Sequence, residues 1–306
     1  MDKIDSELLE KIASLHSIPQ GAYNIRKNGK VLARNCVEGI EIETKTGKAG
    51  IDVSIASHIK NQSIHIPVIV TESDVHDLVY NDFHIAPNAE ITIVAGCGLH
   101  TSGDVGNSHN GIHEFWLGEN SCVRYVENHY AQGNIMAEKV LNPVTKLHLA
   151  KGAKFIMETA QLGGVSSSNR DTYASLEDEA TLEIKESILT EYEQSAITNF
   201  TVDLNGKNST VSVISRAVAK GNSKQDFNSI VSGNNECFGH VECDAIIFDK
   251  AQVCSVPALK NTHVDAQLSH EAAIGKIAGE QLIKLQSLGL TKEEAEQAIL
   301  RGFLNS

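Results

Sequence analysis

The chain has 306 residues, 41% of them hydrophobic and 21% charged, a composition typical of a globular protein with one large domain or two ordinary ones. Its formal net charge of −13 disfavours nucleic acid and anionic membrane surfaces as partners, because their phosphate groups would be repelled. No apolar run is long enough to span a bilayer, and the N-terminus lacks the order of a signal peptide. We therefore expect a cytoplasmic protein whose six cysteines are reduced.

The first predicted element is a short amphipathic helix over residues 3–16. Its apolar residues recur at helical spacing and form one face that packs against the rest of the chain. These residues are Ile4, Leu8, Leu9, Ile12 and Leu15. The helix is expected to end before Pro19, since the residue that precedes a proline is displaced from the helical region.

Short strands are predicted from about Gly29 to Leu259. Runs such as ITIVAG, CVRYVE, TLEIKES and TVSVIS alternate apolar and polar residues and are rich in Val, Ile and Thr. A local template also recurs, in which an apolar residue is followed by Ala or Ser and then, two positions later, by another apolar residue. Its six copies are Ile85/Ala89/Ile91, Leu117/Ser121/Val123, Leu149/Ala153/Phe155, Leu176/Ala180/Leu182, Leu204/Ser209/Val211 and Ile247/Ala251/Val253.

A β-solenoid is the fold that best explains this template. Stacked coils need a small residue where two backbones approach at a corner, with inward-pointing apolar residues on each side of it. The copies start 27 to 43 residues apart, so the coils are irregular. A β-sandwich also has alternating strands and is the alternative fold, although its turns would be spaced more uniformly.

Two helices are predicted at the C-terminus. Residues 269–289 carry apolar residues at helical spacing and stop at a glycine; these are Ile274, Ile277, Leu282 and Leu285. Thr291 and Glu294 then form a capping box that begins the second helix. The chain is therefore divided into an N-terminal helical segment (1–28), a β-helix core (29–265) and a C-terminal helical subdomain (266–306).

The chain contains none of the common nucleotide-binding or hydrolase motifs. There is no GxxxxGK[ST] loop, no GxGxxG after a strand and no GxSxG elbow. The GCG at residues 96–98 is interpreted as a strand end. We therefore expect a protein that binds no nucleotide and is not itself an enzyme.

Cys97, His100, His109 and His113 form the first candidate site. A Cys-x-x-His followed by a His-x-x-x-His has the ligand types of a zinc site. The surrounding glycines indicate a loop, however, where two histidines at this spacing converge less readily than on a helix. A metal site and a histidine-rich loop with satisfied hydrogen bonds are the two interpretations.

Cys243, His270 and Glu271 form the second candidate site. Cys243 lies in the last predicted solenoid strand, and the other two lie where the sheet gives way to the predicted helices. A thiolate, an imidazole and a carboxylate suit iron and sulfide. One chain supplies too few ligands for a closed cluster, as a transient carrier requires. The alternative is a buried thiol beside a capping histidine.

Three stretches of the sequence carry a resemblance to a known family. They are GAYNIRKNG at residues 21–29, GIHEFWLGENSCVRYVENHY at 111–130 and the segment 242–295, which contains ECDAIIFDKAQVC and LSHEAAIGKIAGEQ. These stretches resemble the SufB/SufD family, the scaffold proteins of the SUF iron–sulfur cluster assembly machinery. The resemblance covers nearly the whole chain, and its last stretch is the most specific.

The resemblance implies a right-handed parallel β-helix and pairing of two chains, either as a homodimer or with a paralogous SufB/SufD chain. It implies that the C-terminal helices dock SufC, an ABC-type ATPase, and that a transient iron–sulfur cluster is assembled. Cys243-Asp244 matches the family's Cys-Asp strand motif, which is tied to cluster assembly. His270-Glu271 matches the His-Glu pair of SufB-like members, whereas SufD-like members have His-Gly there.

The chain departs from longer members of that family. It is much shorter, its N-terminal helical part is minimal, and it has no cysteine between Cys122 and Cys237 for the internal sulfur relay proposed for longer relatives. The leading hypothesis is a homodimeric scaffold in which Cys243 accepts sulfide or iron, and His270 and Glu271 are further ligands. A metalloenzyme that uses the first candidate site and a structural adaptor for the ATPase are the alternatives. The cluster type, the sulfur donor and the roles of the other five cysteines stay open.

Overall fold

The computed structural model describes residues 3–304 and shows a mainly β protein, a β-solenoid of about eight turns with one N-terminal and two C-terminal helices. This confirms the predicted fold class. Sheet A consists of β1 (Ala22–Lys27), β2 (Lys30–Asn35), β5 (Gln62–Val70), β7 (Glu90–Thr101), β9 (Cys122–Gly133), β12 (Lys154–Gln161), β14 (Thr181–Thr190), β16 (Ser209–Ala219), β18 (Cys237–Ile247) and β20 (Gln267–Gly275). Sheet B consists of β3 (Ile40–Thr44), β4 (Gly50–Ile55), β6 (His76–Ile85), β8 (Asn107–Leu117), β10 (Lys139–Leu141), β11 (Val144–Leu149), β13 (Ser167–Leu176), β15 (Ser195–Leu204), β17 (Lys224–Gly233) and β19 (Gln252–Asn261). The helices are α1 (Lys3–Ala13), α2 (Gly279–Ser287) and α3 (Lys292–Leu304).

The strands form a solenoid because each coil contributes a strand to each sheet and successive coils pair in parallel. Strands β14 and β16, for example, pair in parallel although β15 of the other sheet lies between them in the chain. A sandwich of hairpins would instead pair consecutive strands antiparallel. The pairing is in register, so that Phe155, Leu182 and Val211 stack in one column inside the solenoid.

The recurring template marks the corner that leads from sheet B to sheet A. In five of its six copies all three residues are buried, and the small residue lies in the turn, as Ser121 does between β8 and β9. The Ser121 hydroxyl donates a hydrogen bond to the Gly118 carbonyl at 2.8 Å and so closes this turn. The small residue is required because the backbones of neighbouring coils approach closely at the corner.

The sixth copy of the template, Ile247/Ala251/Val253, lies at a different corner from the other five. Ala251 lies between β18 and β19, where the chain passes from sheet A to sheet B. The corner that continues the series contains Gly233, Cys237 and Gly239, in which glycines replace the flanking apolar residues. Cys237 therefore occupies the small-residue position of its coil and is a packing residue, 6% exposed.

Helix α1 covers the outer face of sheet A near the start of the solenoid. Its apolar face, Leu8, Leu9 and Ile12, is buried against β5, β7 and β9. The helix ends at Ala13, before the predicted end at residue 16. Its end is set by Ser14, which takes a left-handed backbone conformation with φ 53°.

The GCG sequence lies in the middle of β7, not at a strand end as predicted. Its glycines provide the space that α1 occupies. A Cβ atom on Gly98 would lie 3.1 Å from Leu8 Cβ, and one on Gly96 would lie 2.8 Å from the Ile12 carbonyl oxygen. Strand β7 can therefore pass beneath the helix only because these positions have no side chain.

The N-terminal end of the solenoid is closed by antiparallel strands. Strand β2 pairs with β1, and β3 pairs with β4, both antiparallel. Both outer strands carry charged residues, which protect a sheet edge from pairing with another chain; they are Lys30, Arg34, Glu41 and Glu43. Strand β1 falls within residues 1–28, the segment predicted to be helical, so that this segment is only partly helical.

The C-terminal end of the solenoid is open. Strands β19 and β20 are the last of their sheets, and no other strand within residues 3–304 covers their outer edges. Residues 269–275, predicted to begin a helix, belong to β20 and pair in register with β18. Pairing satisfies the backbone groups of β18, which a helix at this place would leave exposed.

The C-terminal helices pack beside the last coils. The predicted capping box is confirmed, because Thr291 Oγ accepts from the Glu294 N–H at 3.1 Å and Glu294 accepts from the Thr291 N–H at 2.8 Å. Helix α3 packs on sheet A through Leu300, which contacts the cluster around Val218. Within residues 3–304, no helix has the length and apolarity needed to cross a bilayer.

Candidate functional site

Cys243 lies in the middle of β18 with its side chain inside the solenoid, where it is 1% exposed. Alternation along the strand directs Cys243 inward and its neighbours Glu242 and Asp244 outward. The in-register neighbours of Cys243 are Ser215 on β16 and Ala272 on β20. The thiol is therefore separated from the open end of sheet A by a single strand, β20.

The environment of Cys243 keeps its thiol protonated. Burial raises its pKa to about 11, although the Ser255 hydroxyl on β19 opposes part of this rise. At neutral pH almost none of it is thiolate, the form that attacks electrophiles and binds metal ions. The structure thus holds the candidate cysteine in a protected state, which opening of the last coil would relieve.

His270 lies on the strand that covers Cys243. It pairs with Val241, so its side chain shares the inward face of Cys243, and the two Cα atoms are roughly 8 Å apart from strand geometry. The His270 Nδ1 atom is buried and has no hydrogen-bond partner among residues 3–304. Burial and, secondly, the nearby His240 lower the pKa of His270, so its imidazole is neutral at pH 7 and available as a ligand.

Glu271 is exposed on the opposite face of the same strand, paired with Glu242. Successive side chains of a strand alternate, so His270 and Glu271 cannot both face Cys243. Over residues 3–304, no group of three or more Cys, His, Asp or Glu is placed to hold a metal ion. One chain therefore places Cys243 and His270 on the same face of sheet A, and Glu271 on the opposite face.

Three of the four residues of the first candidate site meet inside the solenoid. Cys97 on β7 and His109 and His113 on β8 line an enclosed cavity of about 10 Å³, which has room for one water molecule. His100 alternates to the outer face of β7. The predicted loop around the two inward histidines is wrong, because Asn107–Leu117 is a continuous strand.

Hydrogen bonds already occupy most nitrogens of these imidazoles. His113 Nδ1 donates to Tyr125 Oη at 2.9 Å and its Nε2 accepts from Asn81 at 3.2 Å, while His109 Nδ1 donates to Asp77 at 3.1 Å. Burial lowers the pKa of His113 to about 4. This geometry favours the interpretation of interior histidines with satisfied hydrogen bonds.

A row of buried charged side chains, which the sequence analysis does not predict, continues from these histidines toward Cys243. Glu127 accepts a hydrogen bond from Arg170 Nη1 at 2.6 Å, and Arg170 Nε lies 3.7 Å from Glu186. Glu186 in turn accepts from the Ser215 hydroxyl at 3.1 Å. The signal that could have revealed it is a charged residue at an inward position of an alternating strand.

This row of side chains is held together by opposite charges. Burial alone would raise the pKa of Glu127, but the Arg170 guanidinium and His129 hold it well below its usual range. Burial raises the pKa of Glu186, and Arg170 only partly opposes this effect. Arg170 therefore pairs with two carboxylates. It keeps Glu127 ionised, whereas it offsets the effect of burial on Glu186 only in part.

The fold and the site together define a class of protein. It is a parallel β-solenoid with a thiol one strand below its open end, an imidazole on the last strand itself and two helices beside the last coils. The family model for the SUF system FeS cluster assembly SufBD core domain matches residues 71–303. The chain belongs to the SufBD family of iron–sulfur cluster assembly proteins, and the resemblance noted in the sequence is confirmed.

Several curated relatives are named as iron–sulfur cluster assembly SufBD family proteins. One from Archaeoglobus fulgidus is 31% identical over 237 residues, which cover 77% of this chain and 61% of the relative. One from Pyrococcus horikoshii is 27% identical over 281 residues, which cover 90% of this chain and 84% of the relative. One from Methanocaldococcus jannaschii is 25% identical over 311 residues, which cover 97% of this chain and 96% of the relative. The chain spans little more than half the length of some relatives. Its match to one from Methanothermobacter thermautotrophicus covers 53% of that relative.

Proposed function

We propose that this chain is a cytoplasmic, homodimeric scaffold on which a transient iron–sulfur cluster is assembled together with a SufC-like ABC-type ATPase. The observation that supports this proposal most directly is the position of Cys243, one strand below the open end of sheet A. Iron and sulfide are the cargo of this protein, and the chain itself is not an enzyme. Cys243, His270 and Glu271 are the proposed ligands.

The open end of the solenoid supports pairing of two chains. Strands β19 and β20 offer backbone edges to which no strand of residues 3–304 is bound. Exposed apolar side chains surround these edges; they are Val256, Leu259, Val264 and Ile274. Unpaired edges with apolar side chains are typical of association surfaces, and contact about a two-fold axis there would bring two Cys243 strands toward each other.

The residues present fit such a cargo in chemical type. Thiolate is the ligand that iron–sulfur clusters prefer, and the unpaired Nδ1 of His270 lies on the same face. Glu271 faces outward, where it can reach across an interface. Because the closed coil buries Cys243, which is 1% exposed, loading requires that β20 move.

The C-terminal helices support docking of the ATPase. No side chain of α2, which lies wholly within the described residues, is buried, and Ile283 and Leu288 are 67% and 73% exposed. Helix α3, by contrast, is anchored to sheet A, where the Ser187 hydroxyl donates to the Leu304 carbonyl at 2.7 Å. A partner bound to α2 would therefore act on the last coils through α3.

The test is anaerobic purification with the ATPase, followed by quantification of iron and acid-labile sulfide. Cys243→Ser is expected to abolish both while the circular dichroism spectrum stays that of the wild type. Cys254→Ser, at an exposed cysteine of the neighbouring coil, is the matched control and should retain both. A Cys243→Ser protein that carries a reconstituted cluster at full occupancy would show that the proposal is wrong.

The two alternative functions predict different results in the same experiment. A metalloenzyme built on Cys97, His100, His109 and His113 would retain about one zinc ion per chain, which His109→Ala would remove. A structural adaptor would bind the ATPase but would show no effect of Cys243→Ser in any assay.

A further inference from the structure

Charged side chains on the outer face of sheet A connect helix α3 to the strand that carries Cys243. Arg216 Nη2 lies 2.6 Å from Glu242 Oε1, and its Nη1 lies 3.1 Å from Asp244 Oδ2. Glu242 and Asp244 directly precede and follow Cys243 in the chain. The same guanidinium lies over the ring of Phe303 in α3, 5.7 Å from the ring centroid, a cation–π contact.

Asp244 also holds the strand that covers the thiol. Its Oδ1 accepts a hydrogen bond from the Ala273 backbone N–H at 3.0 Å. Ala273 is the neighbour of Ala272, which lies opposite Cys243 on β20. Because β20 is an edge strand with mostly exposed side chains, this contact adds to the backbone pairing with β18 that keeps it in place.

From this geometry we infer that Arg216 and Asp244 form a latch through which the position of α3 controls access to the Cys243 thiol. The inference rests on the proposed function in one respect, namely that a bound partner displaces α3. Displacement of α3 withdraws the Phe303 ring from Arg216 and weakens the hold of Arg216 on Asp244. Asp244 then turns to water and releases the Ala273 N–H, and β20 separates from β18.

The surrounding charges favour release once the latch is disturbed. Glu242, Asp244 and Glu271 place three carboxylates on the same outer surface of β18 and β20. Arg216 is the cation that pairs with the first two of them. When its guanidinium moves away, the like charges repel one another across and along the strands. Displacement of the Arg216 guanidinium thus removes the counter-charge that holds these carboxylates together and shifts the last coil toward its open form.

The test is the rate at which iodoacetamide alkylates Cys243 in the full chain, measured by peptide mass spectrometry. Arg216→Met and Asp244→Ala are each expected to raise this rate about fivefold, the effect of one lost hydrogen bond or ion pair on a local opening equilibrium. Asp244→Asn keeps an acceptor for Ala273 and should raise it less. Cys97, deep in the solenoid, reports global unfolding and should react as in the wild type.

Two further variants separate the latch from a general loss of charge or packing. Lys207→Met removes a 3.0 Å ion pair with Glu236 that does not involve β20, and it should leave the Cys243 rate unchanged. Phe303→Leu removes the ring beneath the guanidinium but keeps an apolar side chain in α3. It should raise the Cys243 rate about twofold, in keeping with a weak cation–π contact.

Unchanged Cys243 rates in Arg216→Met and Asp244→Ala would overturn the inference, and so would a parallel rise in the alkylation of Cys97. Neither iron, sulfide nor the ATPase takes part in this assay. A negative result would therefore leave the proposed scaffold role standing, whereas failure of the Cys243→Ser experiment would leave the latch measurement intact.

Discussion

Replacing Arg170 with methionine tests whether the charges inside the solenoid form an ion-paired unit. Arg170 is 7% exposed, and its guanidinium lies 2.6 Å from Glu127 and 3.7 Å from Glu186. Methionine retains an unbranched apolar side chain but has no charge. The variant therefore leaves two buried carboxylates without their guanidinium partner.

The expected cost follows from the burial of this group. Removing one partner of a buried ion pair costs about 3–5 kcal/mol, because an uncompensated charge remains in the interior. With about 2.1 cal/mol/K per residue, the entropy of unfolding of this 306-residue chain is about 0.64 kcal/mol/K. The Tm of Arg170→Met should therefore fall by about 5–8 °C.

The cost should also depend on pH. In the wild type the folded-state pKa of Glu127 is lowered, so its carboxylate stabilises the fold above its unfolded-state pKa and loses this effect as the pH falls through the folded-state value. Without Arg170, burial dominates and places the folded-state pKa above the unfolded-state value. The variant then gains stability as the pH is lowered, and its deficit should be smaller at about pH 5 than at about pH 8.

Urea unfolding followed by circular dichroism at both pH values measures these free energies. Arg124→Met is the matched control, since Arg124 also lies 2.6 Å from a carboxylate, that of Glu158, but the two side chains are 51% and 35% exposed. Its expected cost is below about 1 kcal/mol. Equal costs for the two variants, or a deficit of Arg170→Met that does not change with pH, would refute the reasoning.

Three further predictions concern the thiols, the open end and the N-terminal helix. At pH 8 the buried Cys243 should be alkylated at least about 100-fold more slowly than the exposed Cys254, since the rise of the Cys243 pKa from 9.0 to about 11 lowers its own thiolate fraction by about that factor; similar rates would contradict the burial of Cys243. Val256→Lys should convert the proposed dimer to monomers in light scattering, because it places a charge on the last strand of sheet B; a persistent dimer would place the interface elsewhere. Gly96→Ala should lower the free energy of unfolding by about 1–3 kcal/mol and release α1, because its Cβ would lie 2.7 and 2.8 Å from main-chain oxygens. Gly279→Ala is the control in thermal unfolding, since a Cβ at that position would have no atom of the described residues within 4 Å.

The solenoid could be predicted because its corners are specified by local sequence. A small residue such as Ser121 or Ala180, with apolar residues on either side at fixed spacing, describes both the turn and the inward faces of the coil. The coil that contains Cys237 was missed because glycines stand at its flanking positions. At these glycines the interior is filled by side chains from other coils, so a pattern local to this coil cannot reveal them.

The misassigned segments were decided by tertiary contacts. Ile274 lies at helical spacing with the residues that follow, yet pairing with β18 makes its segment a strand. The glycines at 96 and 98 suggested a strand end, whereas the need to accommodate α1 explains them. In both cases the deciding neighbour is far away in the sequence.

The candidate site was predicted by chemistry but not by geometry. Cys243 and His270 could be chosen as a thiolate and an imidazole ligand, and they do share one face, but only strand register shows that Glu271 points away. The pair of Glu127 and Arg170 joins residues 43 positions apart. Such pairs depend on how many residues each coil contains, which the sequence does not state directly.

The two ends of the solenoid differ, and this asymmetry limits how many copies can join. Antiparallel strands with charged side chains protect the N-terminal end, whereas no strand within residues 3–304 covers the edges of β19 and β20. In the proposed homodimer, two chains joined through their open ends leave neither open end free. Assembly through this end would therefore stop at two chains and would not continue into a fibre.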